Sequence, residues 1–99
     1  MPFFVYILRC ADDTLYTGYT GDLKRRLKQH QSGSIPRSYT KPRRPVELVW
    51  ADEFQTKEEA RANEKNIKLW KPDRKEILIR EDKVQTAQIF ENAGGKRNK

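Results

Sequence analysis

Six apolar residues in succession, Phe3 to Leu8, limit the possible folds of this chain more than any other segment. Aromatic and β-branched residues make up most of this run, a composition that favours a buried β-strand. The following Asp12 and Asp13 indicate a turn, and residues 14 to 20 are again rich in strand formers. The chain is therefore predicted to open with an antiparallel hairpin. Gly18, inside the second strand, predicts a bulge or a close approach of another group to the backbone.

The remaining elements follow from helix caps and from the spacing of apolar residues. Asp22 is a candidate N-cap, Leu23 and Leu27 repeat at helical spacing, and Gly33 is a candidate C-terminal stop. These signals predict a helix over 22–32, a basic loop over 34–45, a strand over 46–51 and helices over 57–70 and 73–80. The fold class is α/β, with a three-stranded antiparallel sheet flanked by helices.

The length of 99 residues suits one compact domain. Apolar residues become sparse late in the chain, so we expect a domain over 1–83 and a mobile basic tail over 84–99. No segment has the roughly 20 consecutive apolar residues of a membrane span, and the N-terminus lacks the basic start of a secretory signal. We therefore expect a cytoplasmic protein. One cysteine and one histidine exclude an internal disulfide and a zinc site built on their spacing.

The net charge of +7 is concentrated in one segment. Residues 23–45 carry eight basic side chains and no acidic one. Such a patch attracts polyanions, above all nucleic acid, although a solubilising surface with accidental clustering is the alternative. The candidate nucleic-acid contacts are Lys24, Arg37, Tyr39, Lys41, Arg43 and Arg44.

Two polar residues of the first predicted helix share its apolar face. Leu23, Arg26, Leu27 and His30 stand at i, i+3, i+4 and i+7. Either polar residue alone is better explained structurally, as an arginine whose head reaches solvent or as a histidine satisfied by a backbone carbonyl. Both together, facing a strand that carries tyrosines, indicate a functional site.

Glu64 raises the same question on the next helix, because Ala60, Glu64 and Ile67 form one stripe. A carboxylate in such a stripe is costly unless it is paired or binds a metal. The alternative to metal binding is an i,i+4 salt bridge with Lys68. Tyr6 and Tyr16 lie on predicted strands, where isolated tyrosines are usually core residues.

Taken together, these residues resemble the GIY-YIG nuclease superfamily, and in particular its small stand-alone single-domain members. Phe4-Val5-Tyr6 matches the first motif of the family and Tyr16-Thr17-Gly18 the second, with Val5 and Thr17 where the isoleucines of the name stand. The resemblance covers roughly residues 3 to 80. The family's helical arginine, its histidine four residues later and its metal-binding glutamate correspond to Arg26, His30 and Glu64.

The resemblance implies a metal-dependent endonuclease that hydrolyses phosphodiester bonds, in DNA repair or processing, with catalytic residues Tyr6, Tyr16, Arg26, His30 and Glu64. Glu64 would hold one Mg²⁺ or Mn²⁺, and Arg26 would grip a non-bridging phosphate oxygen. Tyr16 would accept a proton from the attacking water. Tyr6 would form hydrogen bonds nearby, and His30 would assist the proton transfer or orient Tyr16.

Two other classes of protein remain open. The first is a nucleic-acid binding module without catalysis that uses the same basic loop, and the second is a structural or interaction protein, which explains the charge patch poorly. For the nuclease we expect a monomer with a nucleic-acid partner, DNA rather than RNA, and no membrane partner. A protein partner could supply specificity, because no second DNA-binding domain is evident.

Overall fold

The computed structural model describes residues 2–93, and its centre is a three-stranded antiparallel sheet. The strands are β1 (Phe3–Arg9), β2 (Leu15–Thr20) and β3 (Glu47–Phe54), in the order β2-β1-β3. β1 occupies the middle because its apolar run has no polar face to expose to solvent. The predicted hairpin and third strand are confirmed.

Helices cover both faces of this sheet. Leu23 and Leu27 pack on one face together with Ile89 and Phe90, whereas Ala60, Ile67 and Ile79 pack on the other. The helices are α1 (Leu23–Ser32), α2 (Lys57–Lys68), α3 (Pro72–Glu81) and α4 (Lys83–Ala93), with one 3₁₀ turn (Lys41–Arg43) in the basic loop. The α/β class and the flanked three-stranded sheet are confirmed.

The first two helices begin where their caps predict. The Asp22 side chain accepts a hydrogen bond from the backbone N–H of Arg25, and Gly33 ends α1 at a φ of 74°. At α2, Thr56 and Glu59 form a complete capping box. These caps fix the direction of α1 and α2, and hence of the polar residues on their inner faces.

The expected mobile tail from residue 84 is wrong for residues 84–93, which lie in α4. Their apolar residues are few, but Ile89 and Phe90 pack on the same core as α1. Two polar side chains of α4 also bind the outer edge of β3: Thr86 Oγ1 accepts from the Ala51 N–H at 3.1 Å, and Gln85 donates to the Ala51 carbonyl at 3.1 Å. Hydrogen bonds of this kind leave no hydrophobic signal in the sequence. The rest of the expected tail, residues 94–99, lies outside the described residues.

Within residues 2–93, none of the helices combines the length and the apolar character needed to cross a membrane.

Candidate active site

The two motif tyrosines lie on one face of the sheet, beside a glycine that makes room for them. Tyr6 on β1 is paired in register with Gly18 on β2, and Tyr16 lies two residues before this glycine, on the same face. The rings of the tyrosines are 6.4 Å apart between centroids. A Cβ atom added at Gly18 would lie 2.6 Å from the Tyr6 hydroxyl oxygen and 3.2 Å from the Tyr16 ring. Position 18 therefore requires glycine because the tyrosine side chains approach its backbone closely. Close approach was one of the two explanations that the sequence offered for Gly18, the other being a bulge.

His30 enters the same face from α1 and contacts both tyrosines. Its Nε2 atom lies 2.9 Å from the Tyr6 hydroxyl oxygen, and its ring centroid lies 5.2 Å from that of Tyr16. On its other side, Nδ1 lies 2.7 Å from Thr40 Oγ1. The imidazole is 2% exposed. Both ring nitrogens therefore have hydroxyl partners, rather than the backbone carbonyl that a purely structural histidine was expected to use.

The charges of Arg26 on α1 and of Glu64 on α2 both act on Tyr6. Burial raises the pKa of Tyr6; the nearby Tyr16 and the Glu64 carboxylate raise it further, and the Arg26 guanidinium opposes them. Arg26 also lines a cleft of about 340 Å³ at the start of α1, together with Thr20 and Gln29. Tyr16 and His30 thus contact Tyr6, and the charges of Arg26 on α1 and Glu64 on α2 act on its phenol.

The same environment keeps His30 uncharged. Burial, assisted by the positive charge of Arg26, lowers the pKa of His30 to about 4. Near neutral pH the imidazole therefore carries a single N–H and has one donor and one acceptor nitrogen. Tyr6, with its raised pKa, keeps its phenolic proton.

Glu64 is held by the ion pair that was the alternative to metal binding. Its Oε2 atom lies 2.7 Å from Lys68 Nζ, and its side chain is 12% exposed. The hydrogen bond to Glu64 raises the pKa of Lys68. The salt bridge and a metal site are compatible in principle, because a carboxylate has a second oxygen and an ion can displace the ammonium group.

The carboxylate of Glu64 suits a divalent ion that takes most of its other ligands from water. No cluster of three or more His, Cys, Asp or Glu residues that could hold a metal occurs between residues 2 and 93. Magnesium is commonly bound by one or two carboxylates, with water in the other positions. Glu64 is the residue that would hold it.

Tyr39 of the basic loop covers Tyr16. Their rings stack with centroids 6.0 Å apart and an interplanar angle of 18°. The Arg43 guanidinium lies 3.8 Å from the centroid of the Tyr39 ring and pairs with Asp12 at 3.2 Å. Asp12 belongs to the β1–β2 turn, so this stack ties the basic loop to the hairpin that carries Tyr16.

Some of the basic residues predicted to contact nucleic acid are engaged within the protein, and others are exposed. Arg44 donates to the carbonyls of Lys41 and Ser32, and Arg43 donates to that of Tyr39, so these two arginines hold the loop. The Lys24 ammonium lies 4.9 Å from the centroid of the Phe90 ring. Arg37 and Lys41 are exposed on the loop. Arg37 and Lys41 are therefore better placed than the engaged side chains to bind phosphates.

Sequence reasoning missed Thr40 and Asp12. Thr40 lies in a proline-containing loop without periodicity, and only the path of that loop brings it against His30. The sequence predicts Asp12 to be a turn residue, and its negative charge, opposite to that of the basic loop, is the signal for its pairing with Arg43. Neither residue belongs to a motif.

This chain is similar to known proteins both in sequence and in structure. Residues 2–77 match the family of the GIY-YIG catalytic domain. A UPF0213 protein of Bacillus pumilus is 42% identical over 89 residues, which are 90% of each chain. A UPF0213 protein of Staphylococcus aureus is 45% identical over 78 residues, covering 79% of this chain and 94% of the relative.

Two structures solved by solution NMR are also similar. The UPF0213 protein of Bacillus halodurans aligns with a TM-score of 0.55 at 42% identity, covering 84% of this chain and 87% of the other. A protein of E. faecalis aligns with a TM-score of 0.50 at 30% identity, covering 100% and 96%. The family resemblance and the fold expected from the sequence are confirmed.

Proposed function

This chain belongs to the GIY-YIG catalytic domain family, and on that basis we propose that it is a metal-dependent endonuclease acting on nucleic-acid phosphodiester bonds. One observation carries the proposal: the Tyr6 hydroxyl is hydrogen-bonded to His30, its ring lies beside that of Tyr16, and the charges of Arg26 and Glu64 both act on it. An aromatic core would not need a guanidinium and a carboxylate near a buried phenol, because partly buried charges lose hydration that an apolar side chain would not lose.

Each side chain has a role that its position supports. The planar fork of Arg26 holds a non-bridging oxygen of the scissile phosphate and stabilises the charge that develops on it. Tyr16 acts as its phenolate and accepts the proton of the attacking water, becoming a neutral phenol, while His30 and Tyr6 fix the local hydrogen bonds. Mg²⁺ or Mn²⁺ at Glu64 would supply further charge stabilisation for the phosphate and the leaving oxygen.

The substrate proposed from the basic segment is nucleic acid, and DNA before RNA. Exposed Arg37 and Lys41 would contact phosphates, and Tyr39 would lie beside the scissile nucleotide. We further propose that the protein acts as a cytoplasmic monomer in DNA repair or processing, with a partner protein supplying specificity. Phosphate contacts alone carry no sequence information.

A nucleic-acid binding module without catalysis is the second candidate. One observation favours it: Lys68 already neutralises Glu64. In this alternative the carboxylate never exchanges its ammonium partner for a metal ion. Binding would then be independent of divalent metal, and no cleavage would occur.

Release of a fluorescent fragment from labelled DNA and RNA, with Mg²⁺ or Mn²⁺ and with EDTA, distinguishes these candidates. The wild type should cleave only with metal, and Glu64→Gln should lose both cleavage and Mn²⁺ binding measured by calorimetry. Glu58→Gln is the matched control, because it removes an exposed carboxylate from the first turn of the same helix. Binding without cleavage across the substrate panel would support the second candidate, and unchanged Mn²⁺ affinity in Glu64→Gln would remove Glu64 as the metal ligand.

A further inference from the structure

A continuous chain of hydrogen bonds leads from Tyr6 to the surface of the basic loop. Beyond the 2.9 Å contact of Tyr6 with His30 and the 2.7 Å contact of His30 with Thr40, Thr40 Oγ1 lies 2.8 Å from Ser38 Oγ. The Thr40 N–H also donates to Ser38 Oγ, at 3.2 Å. Thr40 is completely buried and Ser38 is half-buried, so the chain ends near solvent.

The direction of this chain depends on which ring nitrogen of His30 carries the proton. If Nε2 carries it, His30 donates to the Tyr6 oxygen, and the Tyr6 proton must find another acceptor. Within residues 2–93, His30 is the only hydrogen-bond partner of the Tyr6 hydroxyl. A buried donor without an acceptor costs about 1–3 kcal/mol.

If Nδ1 carries the proton, every donor in the chain has an acceptor. Tyr6 donates to Nε2, Nδ1 donates to Thr40 Oγ1, and Thr40 donates to Ser38 Oγ. Ser38 Oγ then accepts both the hydroxyl and the N–H of Thr40, within the capacity of its two lone pairs. The half-buried Ser38 hydroxyl can donate to water.

We propose that Thr40, supported by Ser38, is a positioning residue that holds His30 in its Nδ1-protonated tautomer, so that Tyr6 donates to His30 and keeps its oxygen lone pairs free for the reacting groups. The consequence for catalysis rests on the proposed nuclease function, whereas the assignment of the tautomer is independent of that function.

In this arrangement the attacking water donates one hydrogen bond to the Tyr6 oxygen, and its other proton passes to the Tyr16 phenolate. The other tautomer would place the Nε2–H on one lone pair of the Tyr6 oxygen and turn the Tyr6 proton toward the substrate. The hydrogen bond that orients the attacking water on Tyr6 would then be lost. Thr40 therefore acts through His30 and touches no reacting atom.

The tautomer can be measured directly, because the chain has one histidine. Long-range ¹H–¹⁵N correlation spectra of the wild type near pH 7 should show a protonated Nδ1 and an unprotonated Nε2. In Thr40→Val the shape is kept but the acceptor is removed, so the spectrum should shift toward the Nε2-protonated form. Thr40→Ser should restore the wild-type pattern. Thr17→Val is the matched control, because Thr17 is 2% exposed and its hydroxyl has no hydrogen-bond partner within the described part of the chain.

Single-turnover cleavage of a labelled duplex tests the consequence. Thr40→Val should lower the rate about tenfold or more with little change in substrate affinity, and Thr40→Ser should retain most of the rate. A wild-type spectrum with protonated Nε2 would overturn the proposal without any variant, as would Thr40→Val with an unchanged tautomer or rate. If the wild type shows the Nδ1 tautomer but cleaves nothing, the proposed function fails while the assignment of the tautomer stands.

Discussion

The two motif tyrosines have different surroundings, which indicates different tasks. Tyr6 is buried, and its hydroxyl is held by His30. Tyr16 is half-buried and packs between the imidazole and the ring of Tyr39. A fixed phenol is suited to positioning, and the more accessible one is suited to accepting a proton.

Replacing Tyr16 by Phe should therefore affect the chemical step alone. The ring and its stacking on Tyr39 remain, so the free energy of unfolding and the affinity for nucleic acid should stay near wild type. The single-turnover rate should fall roughly a hundredfold or more, the scale of general base catalysis. Tyr19→Phe is the control, since Tyr19 packs on the opposite face of the sheet. A Tyr16→Phe protein that cuts at the wild-type rate would assign Tyr16 to the core.

The buried imidazole should make stability depend on pH. The pKa of His30 is about 4 in the folded protein and about 6.5 in an unfolded chain, so acid protonates the unfolded state first. Stabilisation is complete above about pH 6.5 and is lost as the pH falls toward 4, by up to about 3 kcal/mol. Urea denaturation between pH 7 and 5 should reveal the onset, while the imidazole resonances keep their neutral positions.

Glu76 is a second source of acid sensitivity, because its hydrogen bond with Arg9 lowers its pKa. The loss between pH 6.5 and 5 should persist in Glu76→Gln if it comes from His30. An imidazole that titrates near pH 6.5 in the folded protein would contradict the assignment.

The polar residues of the site could be predicted from sequence where regular spacing placed them. Arg26 and His30 fall on the inner face of α1, and Glu64 falls on that of α2, because a helix turns by a fixed angle per residue. The role of Thr40 could not be predicted, because it depends on how an irregular loop returns to α1. The pairing of Glu64 with Lys68 was an open alternative, and the structure contains it.

Among the elements, α4 shows how a helix can form with little amphipathic signal. Its contacts with β3 combine a few apolar side chains with the two hydrogen bonds to Ala51 and the bond from the Trp50 indole N–H to Asp82, just before the helix. The strands and the capped helices α1 and α2 were predictable, since their signals are local. The position of α4 depends on a strand more than 30 residues earlier.

Thr86→Val should test this anchoring. The substitution keeps the shape of the side chain but leaves the buried N–H of Ala51 without its acceptor, so the free energy of unfolding should fall by about 1–3 kcal/mol. Gln88→Ala, at an exposed position on the same helix, should be near neutral. Chemical denaturation of both variants measures the difference, and equal stabilities would mean that the hydrogen bond from Ala51 to Thr86 contributes nothing to the anchoring of α4.

For the molecule as a whole, the distribution of charge matters more than its total. The basic segment holds eight cations, but Arg43 and Arg44 are engaged by backbone carbonyls or by Asp12. Charge reversal at those arginines would disturb the loop as well as any phosphate contact. Exposed cations provide a cleaner measure of binding.

Arg37→Glu with Lys41→Glu should weaken nucleic-acid binding and make it less dependent on salt. If each side chain contacts one phosphate, the slope of log affinity against log salt should become shallower by about 2. Lys57→Glu with Arg61→Glu makes the same change in net charge on exposed positions of α2 and is the control. Identical slopes for the two double variants would place the binding surface outside the basic loop.

The anchoring of α4 on β3 also affects whether molecules of this protein associate with one another. Outer strands with free N–H and C=O groups can recruit a strand from another molecule, which is a route to aggregation. Here Gln85 and Thr86 occupy the outward-facing pair of Ala51 as a neighbouring strand would. A chain cut before α4 would expose that pair together with the apolar surface beneath the helix. Helix α4 thus protects the outer edge of β3 from pairing with another molecule. Without α4 this edge would be exposed and prone to aggregation.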